Sequence, residues 1–183
     1  MKTLTLAALL LAVPAAAQQA APSPVVPAIN PASNASAATA SVRLVGPEGD
    51  PAGTATLTAM PLGVLVEVDA TGLPPDAWVA IHVHERGACD PAGGHESAGG
   101  HFNPSGVSHG FAVEGGPHAG DMPNIHTNAE GAAKAQIFNP LIVLDEGENA
   151  VRGRALIIHA GADDYTTQPS GGAGDRLACG VID

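Results

Sequence analysis

From Ser41 onward, apolar and polar residues alternate in short runs, the pattern of half-buried β-strands. In LGVLVEVDA (62–70), Val64, Val66 and Val68 share one face, while Leu65, Glu67 and Asp69 share the other. SVRLVG (41–46) and GTATLTAM (53–60) precede it around the turn signal PEGDPAG, and WVAIHVHE (78–85) follows TGLPPDA. AAKAQIF (132–138), VRGRALIIHA (151–160) and LACGVI (177–182) complete the set. No stretch offers a helical period of useful length. Short strands joined by turns predict an all-β, antiparallel sandwich or barrel.

Two segments fit no strand. Residues 86–128 and 161–176 are rich in Gly and polar residues. Long structureless loops are uncommon inside a domain and usually functional. Before Ser41 the pattern changes again. MKTLTLAALLLAVPAAA reads as a signal peptide (1–17), with Lys2, an apolar run and a small-residue cleavage pattern ending at Ala17. The run is too short to span a bilayer. Residues 18–40, rich in Ala, Pro, Ser and Asn, read as a disordered linker, leaving 41–183 as the domain. The expected product is exported and soluble, with the periplasm as its compartment.

Composition narrows the picture. Only 3% of residues are aromatic, so the core must come from Val, Ile, Leu and Ala. The net charge is −11, and −12 once Lys2 leaves with the leader. Such acidity disfavours nucleic acid and anionic membranes as partners. The two cysteines, Cys89 and Cys179, read as a disulfide in an oxidising compartment, the alternative being two buried thiols.

Histidine supplies the candidate chemistry. His82 and His84, two apart on one predicted strand, face the same way, roughly 6–7 Å apart at Cα. Alone, the pair is compatible with metal ligands, a pH sensor or chance. The loop GGHFNPSGVSHGFAVEGGPHAGDMPN adds His101, His109, His118 and Asp121, a set that suits a closed, tetrahedral zinc site. His159 ends the run ALIIH, where it could meet the face carrying His82 and His84. Imidazole-rich sites with an accessible position suit copper.

HVHE, GGHFNP, HAGDMPN, LIIHAGADD and GGAGDRLACGVI, in this order and with both cysteines, together resemble the copper/zinc superoxide dismutase family. The resemblance covers about residues 41–183 and implies an antiparallel Greek-key β-barrel or sandwich with two long functional loops. It implies copper on His82, His84, His101 and His159, and zinc on His101, His109, His118 and Asp121, with His101 shared. It makes Asp163 the carboxylate joining a copper-bound imidazole to a zinc-bound one, Arg176 the active-site arginine, and Cys89–Cys179 the family disulfide. The implied activity converts superoxide to dioxygen and hydrogen peroxide. A non-catalytic copper carrier on the same fold is the alternative, although such relatives typically lose ligands or the arginine. Family interfaces lie on different faces in different branches, so a homodimer stays open. Glu85 is expected to be exposed or salt-bridged, Trp78 to pack, and His126 to decorate a strand or turn. His95 reads as a solvated side chain of the disulfide-bearing loop. A heme or accessory metal contact is its sharper alternative, because some bacterial relatives bind heme.

The sequence departs from the family where anions are guided. Many members carry lysine near the channel, but residues 161–176 hold none and add Asp164 and Asp175, and the domain's only lysine is Lys134. Arg176 and the metals must then supply nearly all the local attraction. The turnover of superoxide is therefore expected to fall only shallowly with ionic strength. A steep fall of kcat/KM with added salt would contradict this.

Overall fold

A computed structural model describes residues 37–183; the leader and the Ala/Pro-rich stretch up to residue 36 lie outside the described residues. Among the described residues nine strands form: β1 (Thr39–Val45), β2 (Pro51–Met60), β3 (Gly63–Ala70), β4 (Trp78–Val79), β5 (Ile81–His84), β6 (Ile125–His126), β7 (Ala133–Asn139), β8 (Ala155–His159) and β9 (Arg176–Val181). Seven of them make one antiparallel sheet in the order β5-β8-β9-β1-β2-β3-β7, and β4 and β6 form a two-stranded ribbon. The predicted all-β antiparallel class is the observed one.

The alternation read from the sequence sets the inward face. Val64, Val66, Val68 and Ala70 of β3 are buried, and so are Ala40, Val42 and Leu44 of β1. They join Ile81 and Val83 of β5 with Leu156 and Ile158 of β8 in one apolar cluster, although these strands stand far apart in the sheet order. The sheet must therefore curl into a half-barrel around a single core. β4 runs directly towards β5, while β6 packs on β7, so the ribbon lies between the two open edges of the sheet.

The predicted strand 78–85 is interrupted. At Ala80 the chain leaves the ribbon: its N–H donates to Gly161, and its carbonyl accepts from His159. Only then does β5 pair with β8. The segment 151–154, read as strand, is instead a turn preceding β8, and β6 arises inside the stretch read as loop. A two-residue strand carries too little periodicity to be read from sequence.

β5 and β8 are buried on both faces. Ile81, Val83, Leu156 and Ile158 face the core, whereas His82, His84 and His159 face the opposite way, beneath the loops. On that outer face Ala155, Ile157 and Cys179 pack with Ala98 and Cys89. The disulfide Cys89–Cys179 is formed, with Cα atoms 5.7 Å apart and the two cysteines 90 positions apart in sequence. Closing a loop of that length contributes on the order of 4–5 kcal/mol in the chain-entropy model. Replacing Cys89 with Ser is expected to lower unfolding stability by roughly 2–5 kcal/mol, read as a shifted urea midpoint. A midpoint equal to that of the oxidised parent would count against this role.

Candidate metal centre

The first long loop does not hang free. It folds back along the edge of β5 that β8 leaves open. Val83 N–H donates to Gly120 (2.9 Å), Phe102 N–H to Val83 (2.8 Å) and Glu85 N–H to Gly100 (2.9 Å). His84 thus stands opposite His101, and His82 opposite Asp121. Gly120 is needed for this approach, since a Cβ there would lie 2.3 Å from the Val83 carbonyl oxygen. On the far side of the loop, the Asn139 side-chain amide of β7 donates to the carbonyls of Ala119 (3.0 Å) and Asp121 (3.3 Å).

This pairing gathers seven predicted residues into two groups that share His101. His82, His84, His101 and His159 form one group, and His101, His109, His118 and Asp121 the other. Within each group, one ligand atom per residue lies within 4.8 Å of the others, and every residue is buried. The Asp121 carboxylate sits 2.8 Å from His101 Nδ1, 3.0 Å from His109 Nδ1 and 3.3 Å from His118 Nδ1. Its Oδ2 also accepts from the N–H groups of Gly110 and His118, both at 3.0 Å. Asp163 bridges the groups: Oδ2 lies 3.1 Å from His82 Nε2, and Oδ1 lies 3.0 Å from His109 Nε2. Gly171, with φ of +68°, lets the second loop close over this carboxylate, where any Cβ would collide with Oδ1.

The hydrogen bonds fix which ring nitrogens remain. Gly99 carbonyl takes the Nδ1 side of His84 (2.9 Å), and Gly174 carbonyl lies 3.4 Å from His159 Nδ1. Nε2 of both rings is then turned to the shared space, 3.4 Å apart. His82 Nδ1 and His101 Nε2 are buried without a hydrogen-bond partner, as are His109 Nδ1 and His118 Nδ1, whose approach to Asp121 is off-line. Buried polar atoms are almost always satisfied, so unpartnered nitrogens gathered within each group ask for a cation. The donor sets fit two metals.

Electrostatics favour the same state. Burial pushes the His82 ring down to about 4 and the His159 ring to about 3, and His84 falls lower still from burial and repulsion by neighbouring rings. Burial lowers His118 likewise. Burial opposes ionisation of Asp121, yet the bonds from His101 and Gly110 hold its carboxyl well below the usual range. Neutral imidazoles beside an ionised carboxylate are the forms that bind metal.

Above the first group opens a cleft of about 660 Å³, with His84, His101, His159 and Arg176 among its walls. The Arg176 guanidinium is anchored by donation from Nη1 to His95 carbonyl and from Nη2 to Gly99 carbonyl, both at 2.9 Å.

Three predicted side chains stand apart from the clusters. His95 is fully buried, which corrects the solvated side chain expected from its polar loop. A left-handed backbone (φ 59°) and an N–H bond to Asp90 (2.8 Å) tighten the turn, and the ring is enclosed. His126 lies on β6, edge-on to the exposed Trp78 at 5.0 Å. Glu85 is exposed and pairs with Arg86 at 3.1 Å. Two further residues escaped sequence reasoning. Gln168 clasps the main chain of His109, accepting from its N–H (2.9 Å) and donating to its carbonyl (2.8 Å). Asn124 clasps Asp163 in the same reciprocal way, at 2.8 and 2.9 Å. An Asn or Gln in a polar loop carries no spacing signal that marks such a partner.

Comparison with known proteins agrees with this geometry. The family profile described as copper/zinc superoxide dismutase (SODC) matches residues 51–182. "Superoxide dismutase [Cu-Zn] 2" of Aquifex aeolicus is 49% identical over 147 residues, covering 78% of this chain and 85% of that protein. "Superoxide dismutase [Cu-Zn]" of Caulobacter vibrioides is 42% identical over 141 residues, covering 74% and 80%. Among solved structures, a superoxide dismutase-like protein from Bacillus subtilis superposes with a TM-score of 0.73 at 36% identity, covering 78% of this chain and 97% of that one. The copper/zinc superoxide dismutase from Brucella abortus gives 0.66 at 31%, covering 80% and 100%.

The Gln168 clasp can be tested directly. Gln168→Ala removes both main-chain bonds at His109 and is expected to weaken metal retention by the His109 group about tenfold, the range for outer-shell contacts. Competition with a chromogenic chelator measures it, and an affinity equal to that of the parent would contradict the positioning role.

Proposed function

Because the chain belongs to the copper/zinc superoxide dismutase family, we propose that it disproportionates superoxide, with copper held by His82, His84, His101 and His159 and zinc by His101, His109, His118 and Asp121. It is an enzyme, an oxidoreductase whose cofactors are copper and zinc. The observation that carries the assignment is the set of buried, unpartnered ring nitrogens converging from both sides on His101.

Copper held by His82, His84, His101 and His159 would supply a one-electron redox couple, and zinc held by His101, His109, His118 and Asp121 would supply a positive charge behind the shared ring. In sum, two superoxide ions and two protons give one dioxygen and one hydrogen peroxide. The protein's own part is positional and protonic. His101 presents Nδ1 to the zinc group and Nε2 to the copper group, so Nε2 is the atom that can hold a proton and hand it to the reduced oxygen species. Gly99 carbonyl keeps the proton of His84 on Nδ1 and leaves Nε2 free. Asp163 does the equivalent for His82 and His109, accepting from both Nε2 atoms and orienting both rings. Arg176 faces the cleft with a guanidinium fixed by two carbonyls, ready to hold a small anion by charge and hydrogen bonding.

Retention of every ligand position and of Arg176 favours the enzyme over a copper carrier. A heme contact at His95 is not part of this reading, because the ring has no exposed face. The leader-like segment 1–17 supports export, with the periplasm as the destination. No helix among the described residues is long and apolar enough to cross a membrane.

Loading with copper and zinc is expected to give rapid superoxide scavenging, and removal of metal with a chelator to abolish it. Protein that binds both metals yet fails to scavenge would overturn the enzymatic reading in favour of the carrier.

A further inference from the structure

The cleft above the histidines is walled by one basic side chain, Arg176, and two acidic ones, Glu85 and Glu96. Glu85 is engaged by Arg86. Glu96 is engaged by Arg176 itself: its Oε2 lies 3.2 Å from Nη2, with the guanidinium side chain 14% exposed and the carboxylate side chain 76% exposed. Glu96 opens the short 3₁₀ turn Glu96–Ala98, immediately after His95 and three residues before Gly99. The carbonyls of those two flanking residues are the ones that anchor Arg176. The turn that fixes the guanidinium therefore also delivers a carboxylate to its cleft side. So exposed a side chain is not placed there for packing.

We propose that Glu96 is a built-in competitor for the anion-binding guanidinium, and that its pairing with Arg176 sets the affinity of the site for superoxide and other small monovalent anions. The proposal rests on the reading that Arg176 holds the anion beside copper. An incoming anion must displace the carboxylate or share the guanidinium with it. Exposed pairs of this kind shift an equilibrium by about fivefold or less, and salt screens them. Among the described residues, no lysine lines the cleft to offset this competition. Glu96 acts through Arg176 and does not touch the reacting atoms.

Azide, a small monovalent anion, is the probe. It is titrated into the copper- and zinc-loaded protein and followed by the absorption band of azide-bound Cu(II), a readout separate from turnover. Glu96→Gln, isosteric and at an exposed position, is expected to tighten azide about three- to fivefold at low ionic strength. The gain should collapse at about 0.5 M salt. Glu96→Asp should fall between the variant and the parent, and kcat/KM should rise in step with azide affinity. In an Arg176→Gln background the same Glu96→Gln change should leave azide affinity unmoved. Equal azide affinity in parent and Glu96→Gln overturns the proposal. An undiminished gain without Arg176 overturns it too, because the carboxylate would then act as a general field. Absence of the azide band from every copper-loaded protein would instead sink the copper assignment, and the proposal with it.

Discussion

The metal centre depends on the pairing of β5 along both of its edges. One edge belongs to β8 and is ordinary sheet; the other is occupied by two separate stretches of the first loop, around 100–102 and 120–121. Because side chains alternate along a strand, this single arrangement sends Ile81 and Val83 into the core and His82 and His84 to the loops. It also sets His101 and Asp121 across from them. Without the loop, β5 would be an exposed edge with two histidines in water. With it, the same backbone bonds that satisfy the strand also draw ligands from three parts of the chain into one cluster.

Such a cluster is costly to assemble without its cations. Desolvation keeps the rings neutral, and neutral rings bring lone pairs that no donor in the protein meets. Asp121 and Asp163 resolve only part of the conflict, since each is already committed to several partners. Metal binding would remove the remainder: a cation in each group would meet the unpartnered nitrogens beside the two buried carboxylates. Folding of the loops and metal occupancy are linked for that reason. The disulfide and the amide clasps of Gln168 and Asn124 tie the same loops down from the outside.

How much of this was legible in the sequence follows from the range of each signal. Alternation in β1, β3 and β7 is local and repeated, so the strands and their inward faces were readable to within a few residues. The His82–His84 pair was readable as sharing a face, though not as ligands, because spacing alone does not say what lies opposite. His101, His109, His118 and Asp121 were readable as a candidate zinc set and His159 as a neighbour of the pair, while the sharing of His101 between two metals came from a resemblance; the structure brings those residues together. What escaped was non-local and non-periodic. The interruption at Ala80 depends on Gly161 and His159, far along the chain. The burial of His95 depends on a left-handed turn in a polar segment that reads as solvated. The clasps by Gln168 and Asn124 link main chain to side chain across 59 and 39 residues, and nothing in composition announces them.

Gly99 shows how tightly chemistry and scaffold are joined here. Its single carbonyl oxygen takes both the Nδ1 side of His84 and the Nη2 of Arg176. The group that orients the His84 ring therefore also anchors Arg176, the one basic side chain among the described residues walling the cleft. Ser97, two residues earlier, bonds Ala88 and Asp90 beside Cys89, so the turn is tied to the disulfide as well. A shift of this turn cannot alter anion binding alone; it must move His84 at the same time. Glu96 differs within the turn, because its exposed side chain pairs with Arg176 and with no other charged group among the described residues. On the proposed competition, a change at Glu96 would tune anion affinity without touching a ligand ring, whereas Gly99 is bound to both His84 and Arg176.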